Sequence, residues 1–169
     1  MLRTILVDLL SPLPAGDNMT WRFLAASLGT VLPFLAASEA PAQEVRRYLA
    51  PRTPADTAAP PFSGAVLAGN TLYLSGKIGL TPDRKVPSSA AEEARLVLDD
   101  VKATLAAAGM TMDDLVSVQI FCSDVSHYDA FNRVYRTYFT REFPARAFIG
   151  SGTLLFGARF EVQAIAVKR

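Results

Sequence analysis

The chain has 169 residues, enough for one domain with a real core, and its 17 Lys and Arg against 16 Asp and Glu leave a net charge of +1. The basic residues are scattered singly or in pairs such as Arg46–Arg47, which argues against the clustered cationic surface that a nucleic-acid partner requires. One cysteine (Cys122) and one histidine (His127) allow no intrachain disulfide and no structural zinc site; there is no G-x-S-x-G elbow, and Gly150-Ser151-Gly152 is too short for a phosphate loop, so neither metal nor cofactor is expected.

Residues 1–42 differ in kind from the rest. Phe23–Ser38 runs sixteen residues without a charge, with Arg22 before it and Ala40-Pro41-Ala42 after it. A basic start, a short apolar stretch and an A-x-A site form the order of a secretory signal. The stretch is broken by Pro33 and falls short of the ~20 apolar residues of a membrane span. The pattern predicts export, periplasmic or secreted, with residues 43–169 as one domain that has no membrane contact after cleavage. The alternative is an uncleaved signal that tethers the chain to a membrane. Met19 heads the pattern, so residues 1–18 read as an over-extended start.

A proline-rich lead-in (Pro51, Pro54, Pro60, Pro61) precedes two strand-like runs, Ala65–Ala68 and Thr71–Ser75. Gly69-Asn70 between them is a two-residue hairpin signal, and Gly76 closes the second run. Ser89-x-x-Glu92 reads as a capping box for a helix. Ala94, Val97, Leu98, Val101, Leu105 and Ala108 give that helix one apolar face, and Gly109 stops it. Glu92, Glu93, Asp99, Asp100 and Lys102 read as its solvated side. Leu115–Cys122 alternates as a strand, with Val116, Val118 and Ile120 on one face. A second helix is predicted from Ser126, capped through Asp129, with an aromatic stripe of Tyr128, Phe131, Val134, Tyr135, Tyr138 and Phe139 taken as core. His127 reads as an exposed first-turn residue and Cys122 as strand packing. Strands Ala145–Ile149 and Arg159–Val167 close the chain. The order ββ-α-β-α-ββ predicts an α+β or mixed α/β layer, two helices on one sheet. A sheet covered on one side leaves an apolar face that self-association would cover.

Arg146, in Phe143-Pro144-Ala145-Arg146, sits among apolar neighbours where a charge needs a partner. Two readings stand: a salt bridge with a carboxylate such as Glu161, or a fork holding a ligand carboxylate through two parallel hydrogen bonds.

Residues 47–169 resemble the Rid (RidA/YjgF) family of enamine/imine deaminases. The resemblance is carried by Pro61-Phe62-Ser63, Leu74-Ser75-Gly76-Lys77-Ile78, Ala106-Ala107-Ala108-Gly109, Asn132, Phe143-Pro144-Ala145-Arg146 and the tail Phe160–Val167. It implies a chorismate-mutase-like subunit, a homotrimer with clefts between subunits, and a small 2-imino or 2-keto acid as ligand. By the same resemblance Arg146 grips the ligand carboxylate, Ser75 and Gly76 wall the cleft, and Asn132 lies near the site. Where the family's tail reads E-x-E, this chain has Glu161 and then Gln163, at the position whose acid helps place the attacking water. A glutamine orients water but cannot take its proton, so general-base help of roughly 10²–10⁴-fold is at stake. Phe62 replaces the family's tyrosine, Phe148 stands where a cysteine is common, and Leu155 where a proline is usual. Glu161 shares a strand face with Gln163, about 7 Å away. The expected function is imine hydrolysis to a 2-keto acid and ammonia with weakened catalysis. The alternative is a non-catalytic trimer binding small carboxylates or exposed apolar segments. A ribonuclease activity finds no basic stripe to support it.

Overall fold

The hairpin expected at Gly69-Asn70 is present in the computed structural model, which describes residues 45–50, 55 and 57–169. Strand β2 (Ala65–Ala68) turns there into β3 (Thr71–Ile78), with Gly69 at φ 58°, a left-handed conformation that glycine adopts without a β-carbon clash. A strand that the periodicity did not reveal, β1 (Arg46–Leu49), pairs antiparallel with β2 and forms one edge. Its four residues include two arginines and no apolar alternation. The signal-like segment and its expected cleavage site lie outside the described residues.

Helix α1 (Ala90–Ala107) starts where the Ser89 side chain accepts the Glu92 N–H at 3.4 Å. No return bond from Glu92 completes the box among the described residues. The helix ends in a Schellman arrangement: Met110 N–H donates to the Leu105 carbonyl and Gly109 N–H to that of Ala106, both at 2.9 Å, with Gly109 at φ 74°. The whole expected apolar face, Ala94 to Ala108, is buried. One acid departs from the expected solvated side: Glu93 is 0 % exposed. It lies four residues before Val97, on the same stripe. Its carboxylate accepts the backbone N–H groups of Arg159 (2.6 Å) and Phe160 (3.0 Å) and pairs with the Arg159 guanidinium at 2.8 Å. Burial of the charge is tolerated because those donors replace water.

Strands β4 (Leu115–Cys122), β5 (Ala145–Gly150) and β6 (Phe160–Val167) and helix α2 (Tyr128–Tyr135) complete the layer. The sheet order is β1-β2-β3-β6-β4-β5, antiparallel except for the β4–β5 pair, and both helices pack on one face. Three local expectations are corrected. β3 does not stop at Gly76, because a bulge between Leu74 and Lys77 carries the pairing on to Ile78. Val116 does not share a face with Val118 and Ile120, because a bulge between Leu115 and Ser117 turns Leu115 inward and leaves Val116 exposed. Ser126 does not cap α2; Asp124 accepts its N–H at 2.8 Å and opens a 3-10 turn over Val125–His127.

Strand parity then sorts the sheet. Leu72, Leu74, Val118, Ile120, Cys122, Phe160, Val162, Ala164 and Ala166 face the helices and are buried. Ser117, Gln119, Glu161, Gln163 and Ile165 point to the other, helix-free face. No helix among the described residues is long and apolar enough to cross a membrane.

Candidate functional site

Arg146 is the second residue of edge strand β5, in register with the buried Val118, so its side chain leaves the sheet on the helix side. There it meets α2. Its Cζ lies 4.7 Å from the ring centre of Tyr135 and 5.9 Å from that of Tyr128. Tyr128, Asn132 and Tyr135 follow one another at four- and three-residue spacing, which places them on one side of the helix. With Arg136, Phe143, Pro144 and Arg146 they line a cleft of about 210 Å³. The salt bridge weighed for Arg146 is not made: Glu161 is in register with Ile78 and Phe121 and leaves the opposite face. Among the described residues Arg146 has no carboxylate partner and no hydrogen bond; its ring contacts are its recorded interactions. Aromatic faces hold a guanidinium in place while leaving its five N–H donors free.

Tyr135 is 3 % exposed and its hydroxyl has no hydrogen-bond partner among the described residues. Burial pushes its pKa up to about 12, an effect that nearby Arg146 partly offsets. The aromatic stripe of α2 therefore divides: Phe131 and Val134 are core, whereas Tyr128 and Tyr135 wall the cleft. Phe148 packs edge-on to Tyr128 at 5.0 Å and to Phe131 at 5.8 Å, so it props the wall from behind.

A second group of sequence-predicted residues lies on the helix-free face. Gly76 sits in the β3 bulge, where a β-carbon would fall on the Glu161 carboxylate; glycine lets the acid lie across the backbone. Ser75 holds the preceding loop by donating its hydroxyl to the Ser63 carbonyl at 2.6 Å, and the exposed Phe62 projects from that loop. Gln163 is in register with Gln119 and lines a shallow hollow with Tyr73, Ser117 and Ile165. One subunit thus brings Arg146, Asn132 and, behind them, Phe148 together on one side. Gly76, Glu161 and Gln163 are on the other.

Cys122 and His127 contribute to neither group. The buried thiol donates to the Asp124 carbonyl at 3.0 Å, and burial raises its pKa. His127 is half-buried, edge-on to Phe160, instead of exposed as expected. Sequence reading missed Arg136 and the position of Tyr135 in the cleft. Their signal was available in the helical spacing from Asn132.

Two helices on one mixed sheet, with an arginine set in an aromatic cleft at the sheet edge, define a chorismate-mutase-like α+β subunit. The family model described as Endoribonuclease L-PSP matches residues 53–168, and the chain belongs to this family, the RidA/YjgF family. It is 37 % identical over 126 residues to the 2-iminobutanoate/2-iminopropanoate deaminase of Capra hircus, an overlap covering 73 % of this chain and 91 % of that relative. Among solved structures, yeast Mmf1 matches with a TM-score of 0.64 at 34 % identity over 74 % of this chain and all of its own (100 %). E. coli TdcF with bound serine matches with a TM-score of 0.63 at 29 % identity, covering 66 % of this chain and 91 % of that one.

Proposed function

We propose that this chain hydrolyses small 2-imino acids and their enamine tautomers, in clefts formed where subunits of a homotrimer meet. The observation that carries the reading is Arg146: a half-buried guanidinium, held by two tyrosines, with no acid among the described residues to neutralise it. A ligand carboxylate would supply the missing partner through two parallel bonds. The deaminase relatives support the reaction, and the serine bound to TdcF supports a small carboxylate as ligand.

For Arg146 and Gln163 to act on one ligand, they must come from two subunits, since they leave opposite faces of the sheet. Tyr73, Val116 and Ile149, large and exposed, lie off the helix-packed core and offer apolar surface for such an assembly. In the reaction, water adds to the imine carbon, both of its protons pass in turn to the nitrogen, and the C–N bond breaks to leave a 2-keto acid and ammonia. The Gln163 amide orients the water without accepting its proton. Glu161, folded over Gly76, is the carboxylate on the same face and reaches the site only through an intervening water or a shifted ligand.

The amide at 163 also favours a second reading, in which the trimer binds keto acids without turning over imines. Ammonia release from a freshly generated imino acid separates the two. Arg146→Ala should abolish keto-acid binding at a cost of about 2–5 kcal/mol. Gln163→Glu should raise the rate at saturating substrate, by up to roughly 10²–10⁴-fold. A wild type as fast as the glutamate variant defeats the proton-transfer argument. One that binds keto acid and releases no ammonia establishes the second reading.

A further inference from the structure

We infer that the cleft is built for a doubly anionic ligand, a 2-keto or 2-imino acid that bears a second carboxylate. The inference rests on Arg146 holding the first carboxylate and adds a role for Arg136.

Among the described residues the cleft is lined by two guanidinium groups, those of Arg136 and Arg146, and by no Asp or Glu. Neither arginine is paired with a carboxylate among the described residues. Both rest instead on aromatic rings. Arg146 lies 4.7 Å from Tyr135, Tyr135 stacks on Phe143 at 6.2 Å and 22°, and Arg136 lies 6.0 Å from Phe143. One continuous aromatic wall thus carries a cation at each end. The placement follows from the sequence: Arg136 directly follows Tyr135 at the end of α2, and Phe143 leads into β5 three residues before Arg146.

Two like charges beside one small cleft repel each other, and a monocarboxylate neutralises only one of them. A four- or five-carbon diacid would satisfy both, its reacting carbon next to Arg146 and its far carboxylate toward Arg136. Asn132, which lines the same cleft, offers an amide donor to the carbonyl or to an acid. Arg136 is exposed, so its contribution is that of a rim charge: modest in size, sensitive to salt and selective for charge.

Calorimetric titration of the full-length protein in its native oligomeric state tests this, with 2-ketobutyrate and 2-oxoglutarate as probes. At low salt, 2-oxoglutarate should bind about fivefold to tenfold more tightly, a margin that shrinks as salt is raised. Arg136→Ala should bring the ratio of the two affinities close to one, and Arg136→Lys should keep part of the margin. Equal affinities in the wild type, or a margin that survives Arg136→Ala, overturn the inference and leave the carboxylate role of Arg146 intact. If Arg146→Ala leaves both ligands bound as before, the site reading itself fails, and this inference with it.

Discussion

Tyr135 shows how a residue can be legible as to its element and not as to its work. Its spacing along α2 marked it as apolar-facing, and it is buried. What spacing could not show is that the ring supports Arg146 and that the hydroxyl finds no acceptor among the described residues. A buried hydroxyl without a partner forfeits its hydration, so Tyr135→Phe should leave the free protein as stable or raise its stability by about 1 kcal/mol in urea unfolding. The same change should alter the alkaline limb. The phenol's pKa is raised from 10.0 to about 12 by burial, so the folded state holds its proton longer than the unfolded one. The stability this contributes is fully present below pH 10 and is lost as pH rises through about 12. Unfolding of the phenylalanine variant should therefore depend less on pH in that window; an unchanged alkaline slope would count against the assignment. Arg146 was legible as a charge in an apolar run. That it faces away from Gln163 was not, because strand register decides which face each occupies.

At the scale of elements, the periodic parts were the readable ones. The α1 stripe, the Gly69-Asn70 turn and the glycine stop at Gly109 each rest on local geometry, and each is present. The misses came from long-range choices: a bulge that reverses the parity of Val116, a β1 strand without alternation, and an acid that is buried because a distant arginine meets it. That acid ties α1 to the start of β6. Arg159 extends the tie by donating to the carbonyls of Pro87 and Ser88, at 2.9 and 3.1 Å. Glu93→Ala would strand the guanidinium and two backbone N–H groups at a partly buried site. A loss of about 3–5 kcal/mol in denaturant unfolding is expected. A loss below 1 kcal/mol would mean that water replaces the carboxylate easily.

For the whole molecule, the helix-free face and the divided site make the same demand. The proposed homotrimer should appear in light scattering at micromolar concentration, and a monomer there would rule out a site shared between Arg146 and Gln163. Export is a proposal that rests on residues 19–42 alone. Intact mass of the protein from its native host should place the N-terminus at Gln43, and a cytoplasmic product that begins at Met1 would refute it. Because Arg146 and Gln163 leave opposite faces of one sheet, each working cleft in the proposed ring is the joint property of two chains. Damage to this protein is then not inherited one chain at a time. In the proposed ring, a copy that lacks Arg146 and a copy disabled on the Gln163 face should each be inactive alone. Mixed in one ring, they meet at some borders with both sound halves together, and two broken alleles restore part of the activity that neither encodes.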